Sequence, residues 1–396
     1  MDSDISDIIL NLNKNKIYGG ITMNKLSRKN LILVSLMLFS IFFGAGNLIF
    51  PPVLGQMSGT NLLLSLAGSL ASAVCLPILA VAVVAKADGL QNLARRVNKP
   101  FALIFTLLIY LSIGPFLGIP RAASLSFETS IAPFLKASAI GGALPLFVYT
   151  LCFFGLAFWL SMTPNKLMDR FGKVLTPAIL ILILIIFIGS LVKPIGGFNA
   201  PIGDYGNFPV LKRFLDGYMT MDAIAALNFG IVVALVLKKQ GITDKIALSS
   251  YTIKAGFIAG LVLTLITSCS EYFSRIIPKV SYKVWVTGIT LSSMLFANVG
   301  LTNILKVSVP VLTAIYPMAI VLIVLAFTHN LFKGYNSVYS LSMLFTAVFS
   351  VSDSLNQIGL KMSFLNSMPL SKEGLVWVLQ SLVGALTYIP LNEFRN

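Results

Sequence analysis

Apolar runs of about twenty residues, the length that spans a bilayer core of roughly 30 Å, recur from one end of the 396-residue chain to the other. Nothing else in the sequence restricts the fold so tightly. In lipid every backbone N–H and C=O needs an internal partner, and the runs are too long for barrel strands, so they must be helices. Spans are expected at about 31–54, 62–86, 101–123, 143–162, 174–193, 219–237, 252–273, 284–300, 303–327, 336–352 and 374–390. The fold class is an all-α polytopic membrane protein, with 23–396 forming a single transmembrane domain of about eleven spans.

Composition supports this reading and excludes others. The chain is 57% hydrophobic and 11% charged, where a soluble domain carries roughly 25% charged residues. Its net charge of +15 does not imply nucleic acid, because the basic residues sit in short clusters between apolar runs and no basic stripe is interleaved with aromatics. Cys75, Cys152 and Cys269 lie in or beside apolar runs without metal spacing, and are expected to be buried, inert thiols. The sole histidine, His329, falls at a cytoplasmic helix end and is expected to be solvated there. No His/Glu metal spacing or Ser/Lys pair stands on one helix face, so an enzyme is not expected, nor any cofactor beyond a transported cation.

Residues 1–22 are polar and lack the order of a signal peptide. Met23 reads as a natural start, and Gly19-Gly20 fits a ribosome-binding sequence just before it, so 1–22 is expected to be a disordered extension from an over-called start. Lys25, Arg28 and Lys29 precede the first span and place the N-terminus in the cytoplasm. Alternating crossings then put Arg95, Arg96 and Lys99, Lys166, Arg170 and Lys173, and Lys238, Lys239 and Lys245 inside as well. The run 252–273 breaks the pattern. Lys245 and Lys254 precede it, and Arg275, Lys279 and Lys283 follow it, so a single crossing would put one basic cluster outside.

Two places carry chemistry. Gly44, Gly46 and Asn47 fall in mid-span with Pro51-Pro52 just beyond, a pattern that weakens the helix and removes two donors. An unwound turn there would aim N–H groups at an anion and carbonyls at a cation, the two halves of an amino-acid and sodium site. The competing reading is a glycine packing face between helices. Five spans later the segment from Tyr218 to Gly230 holds Asp222 and Asn228 at or near membrane depth. Asp222 fits either a functional intramembrane carboxylate, such as a gate, or a helix cap at the outer interface. Asn228-Phe229-Gly230 is the expected break.

Several stretches together resemble one family. They are Phe42 to Pro52 (Phe-Phe-Gly-Ala-Gly-Asn-Leu-Ile-Phe-Pro-Pro), Ile113 to Ala123, Ser126-Phe127-Glu128, Thr163 to Lys166, Gly172 to Pro177, Gly217 to Asp222, Ile253 to Gly256, Glu271 to Ser274, Val307 to Val311 and Tyr316-Pro317. The likeness runs from Met23 nearly to the end and is to the bacterial branched-chain amino acid:cation symporters, the branched-chain amino acid transport system II carriers, which are similar to LeuT-type transporters. It implies a 5+5 inverted repeat, with the first repeat at about 31–193 and the second at about 219–327, plus two C-terminal spans at about 336–390. The implied function is cation-coupled symport of leucine, isoleucine and valine, with sodium favoured over protons, in a multi-pass bacterial plasma (inner) membrane protein. By the same resemblance, the N–H groups of Ala45 and Gly46 would take the substrate carboxylate. The Asn47 side chain and the carbonyls of Phe42 and Phe43 would hold cations. Tyr110 would close over the substrate, and the span-six break with Asn228 and Phe229 would hold its side chain, Phe229 reading equally well as an ordinary core aromatic.

One departure from the family bears on activity. Members usually carry about fifty more residues, two half-spans and an outer loop, between Ile253-Lys-Ala-Gly256 and Ser270-Glu-Tyr-Phe273. Here the inner half of span seven is expected to run directly into the inner half of span eight, which accounts for basic flanks on both sides. The hydroxyls that complete a second cation position would fall in the missing stretch, and Thr264, Thr267 and Ser268 would sit too near the cytoplasmic side. The alternative expectation is therefore a degenerate, transport-inactive member.

Overall fold

The structure is a computed structural model that describes residues 55–135, 143–162, 199–239, 281–332, 334–371 and 373–387, with Val53 and a few isolated positions between 180 and 192. The first-span residues Phe42, Phe43, Gly44, Ala45, Gly46 and Asn47, the extension 1–22 and the run 252–273 lie outside the described residues.

Among the described residues the regular structure is entirely helical. The helices are α1 (Gly55–Lys86), α2 (Leu90–Ala94), α3 (Lys99–Ser130), α4 (Ala143–Ser161), α5 (Pro209–Asp216), α6 (Asp222–Lys239), α7 (Tyr282–Ala297), α8 (Leu301–Phe327), α9 (Asn336–Gln357) and α10 (Val376–Leu386). Five of them, α1, α3, α4, α8 and α9, are long and apolar enough to cross a membrane. Together with their exposed Leu63, Leu144, Trp159 and Leu344 they make a multi-pass membrane protein whose outer surface meets lipid. Cys75 and Cys152 are exposed on that surface rather than buried. In a membrane an apolar residue gains nothing from facing inward, so their placement in apolar runs did not fix which side they face.

Prolines set the irregularities of the long helices. Pro77 has no N–H to give the carbonyl one turn back, and α1 loosens into a π turn over Leu70–Cys75 just upstream. In α3 the chain around Pro115 departs from helical geometry at Gly114 (φ −77°, ψ −116°), and Leu117 N–H reaches back to the Ser112 carbonyl at 3.1 Å. Gly118 closes this kink against the backbone, since a Cβ there would stand 2.1 Å from the Ile113 carbonyl oxygen. The start of α3 is capped locally, with the Asn98 side chain accepting from Phe101 N–H at 2.7 Å.

Packing follows from these shapes. The C-terminal half of α1 lies along α6 and its N-terminal half along α5, while α7 packs on α4 and on the kinked part of α3. α9 sits between α8 and α10. Ser350 and Ser354 on α9 donate to the Ala314 and Pro310 carbonyls of α8 at 3.0 and 2.7 Å, joining the two by interhelical hydrogen bonds. At one end of the bundle Arg96 donates to the Tyr339 hydroxyl at 3.0 Å, and Tyr339 donates to the Leu325 carbonyl at 3.0 Å. His329 is at the end of α8, as expected, but is half-buried, with Nδ1 3.1 Å from the Tyr339 hydroxyl. Its solvated environment was misjudged because Tyr339 and Arg96 come from other elements.

Candidate functional site

The chain from Asn199 onward runs alongside α1. Asn199 and Ile202 bond to the Thr60 and Met57 backbone, α5 descends along Leu62–Ser69, and α6 continues beside Leu76–Lys86. Small residues permit this closeness. A Cβ at Gly68 would stand 2.2 Å from the Val210 carbonyl oxygen, and one at Gly217 would stand 2.2 Å from Ser72 Oγ.

Between α5 and α6 the helical path breaks. Residues Gly217–Thr220 tighten into a 3₁₀ turn, and Met221 takes a left-handed conformation at φ 63° before α6 begins at Asp222. For a residue with a side chain that conformation costs about 1–2 kcal/mol. The break therefore lies several residues before Asn228-Phe229-Gly230, where it was expected. α6 continues through those residues, and Gly230 serves as a contact, since a Cβ there would approach Val84 at 2.8 Å. Its glycine relieves packing against α1 rather than interrupting the helix.

A broken helix frees carbonyls and N–H groups that lipid cannot satisfy. Here two distant side chains take them. The Arg121 guanidinium, on α3, donates to the Met219 carbonyl at 2.6 Å. The Tyr316 hydroxyl, on α8, accepts from Ala223 N–H at 3.1 Å, and its ring stacks on Tyr218 with centroids 4.4 Å apart. Arg121 is 6% exposed and Asp222 3%, and their charges act on each other within the interior. Opposite charges this buried offset each other's desolvation, which neither could bear alone. Asp222 is the first residue of α6 and is buried within the bundle.

The other proposed residues are placed as follows. Asn228 is 1% exposed, and neither its amide nitrogen nor its oxygen has a hydrogen-bond partner among the described residues. Leaving such a group unmatched costs about 1–3 kcal/mol, which makes it a candidate for meeting a ligand. Phe229 is fully buried and Tyr110 nearly so, and both belong to the same apolar core. Tyr110 stands one turn before the α3 kink. Thr106 on α3, and Thr290 and Ser293 on α7, are also buried hydroxyls without partners among the described residues. The structure thus brings Arg121, Tyr218, Asp222 and Tyr316 together at the break. Sequence reasoning gave Arg121 and Tyr316 no role, although an arginine inside an apolar run was signal enough for one of them.

Among the described residues no group of three His, Cys, Asp or Glu side chains is placed to hold a metal. Comparison with known sequences bears on function directly. The model of the protein family described as branched-chain amino acid transport protein matches residues 27–267 and 262–395. The chain is similar to the branched-chain amino acid permease BraB of Bacillus subtilis (strain 168), 38% identical over 429 residues that cover 92% of this chain and 96% of the relative. It is 37% identical over 436 residues to the permease BrnQ of the same organism (94% and 99% covered), and 30% identical over 421 residues to BrnQ of Escherichia coli K12 (91% and 95% covered).

Proposed function

The chain belongs to the branched-chain amino acid transport protein family, whose members are transporters and not enzymes, and we propose that it carries leucine, isoleucine and valine into the cell. The carrier is a secondary one in the bacterial plasma membrane, with its N-terminus cytoplasmic and sodium as the coupling cation. The observation that carries this reading is the break at Gly217–Met221, whose freed backbone groups are held by Arg121 and Tyr316. It falls in the sixth span, where the 5+5 repeat calls for the counterpart of a broken first span. In that arrangement Ala45 and Gly46 N–H groups bind the substrate carboxylate, and Asn47 with the Phe42 and Phe43 carbonyls holds the cation. The unmatched amide of Asn228 offers a donor and an acceptor to the substrate's polar end, and Tyr110 and Phe229 surround its apolar side chain. Asp222 balances Arg121 and acts as a gate only if that pair opens.

A second reading has its own support. The family match falls in two stretches that meet at 262–267, and the alignments to relatives, at 429 and 436 residues, are longer than the 396-residue chain. Both observations fit merged, shortened spans seven and eight, which would remove hydroxyls from one cation position and leave a transport-inactive protein. Leucine uptake into proteoliposomes under an imposed sodium gradient, a proton gradient or neither decides between the two. Sodium-driven accumulation supports the symporter. Binding of leucine without accumulation under any gradient supports the inactive form.

A further inference from the structure

A groove of about 190 Å³ opens where α5, just before the break, meets the N-terminal half of α1. One wall is apolar, with Leu66, Leu70 and Val74, and the other carries Ser65, Ser69 and Arg213. Arg213 is 7% exposed and Ser65 3%. Arg213 Nε donates to Ser69 Oγ, but its Nη1 has no hydrogen-bond partner among the described residues, and neither has Ser65 Oγ. The nearby carboxylate of Asp216 is already engaged by Lys212 at 3.0 Å and by the Tyr205 hydroxyl at 2.8 Å. Lys212, Arg213 and Asp216 therefore leave one positive charge in excess beside a buried, unused donor. A buried guanidinium in that condition calls for an anion.

The walls say which kind. Leu66 and Leu70 are exposed, as is Leu63 beside them, so the groove opens toward the lipid-facing surface. A zwitterionic amino acid would bring its ammonium group against Lys212 and Arg213, and no acidic side chain lines the groove to receive it. We propose that this groove binds an anionic phospholipid of the adjoining leaflet, with its phosphate held by Arg213 and Ser65 and an acyl chain lying along Leu66, Leu70 and Val74. The lipid would then tie α5, and through it the broken span, to α1.

The test uses the full chain purified in detergent and exposed to equal amounts of phosphatidylglycerol and phosphatidylcholine, with retained lipid read by native mass spectrometry. The expected result is about a tenfold preference for phosphatidylglycerol. Arg213→Gln should bring the two lipids near parity, and Arg213→Lys should keep part of the preference. Leu70→Trp fills the groove without touching the charge and should lower retention of both lipids, so it carries the test if Arg213→Gln fails to fold. Equal retention by wild type, Arg213→Lys and Leu70→Trp would overturn the proposal. So would displacement of phosphatidylglycerol by leucine, which would make the groove a site for the substrate carboxylate.

Discussion

Arg121 and Tyr316 do at the break what a neighbouring turn does in an unbroken helix. Removing the guanidinium strands the Met219 carbonyl and takes away the buried positive charge that acts on Asp222. Arg121→Gln is therefore expected to destabilise the protein by about 3–5 kcal/mol and to abolish transport, as judged by thermal unfolding and uptake. Adding Asp222→Asn should recover part of that stability, and a double-mutant cycle measures the coupling. Tyr316→Phe keeps the stacking on Tyr218 but loses the acceptor for Ala223 N–H, at an expected cost of about 1–3 kcal/mol. His329 behaves differently. Burial first, then Arg96 and Lys86, push its imidazole below the ordinary histidine value. The unfolded chain then takes up a proton more readily than the folded one, so stability falls as pH drops through about 6.5 toward the folded value. His329→Gln should remove that part of the slope in unfolding measured between about pH 8 and pH 5. An equal slope in both proteins would assign it to other groups.

The elements were legible to different degrees. Apolar runs located α4, α7, α8 and α9 to within a few residues, because length and hydropathy alone define a span. α5 is harder to read. It is amphipathic and carries Lys212, Arg213 and Asp216, so it looks like a loop in the sequence, and only its contact with α1 shows that it packs into the bundle. The break itself was misplaced because Asn-Phe-Gly is the obvious weak point in local sequence. The true break at Met221 is held open by residues 93 and 98 positions away. No window of local propensity contains that information. The close approach of the two elements makes a further prediction. Gly68→Ala pushes a methyl into the Val210 backbone and should destabilise by about 1–3 kcal/mol, with no single compensating change. Gly217→Ala meets the Ser72 side chain instead, and adding Ser72→Gly should restore most of the lost melting temperature.

For the molecule as a whole, the multi-pass helical architecture was legible, while half of the candidate substrate site, including Ala45, Gly46 and Asn47, lies outside the described residues. The described half consists of a break, its two clamps and the unmatched Asn228. If merged spans seven and eight disable the protein, inserting the corresponding stretch of a permease relative between residues 260 and 265 should raise sodium-driven leucine uptake from background to a measurable rate. No gain in a well-folded insertion variant would place the defect elsewhere.

The clamp from Tyr316 also sets an order on synthesis. Ala223 enters the membrane 93 residues before its partner is made. At about 5–20 residues per second that interval is on the order of ten seconds. During it, the start of α6 has an N–H that hydrocarbon cannot satisfy. A nascent chain halted short of residue 316 should therefore hold this segment beside the aqueous path of the insertion machinery. It should pass fully into lipid only once α8 has followed, so the ribosome's progress, rather than the segment's own apolarity, times when this span is finished.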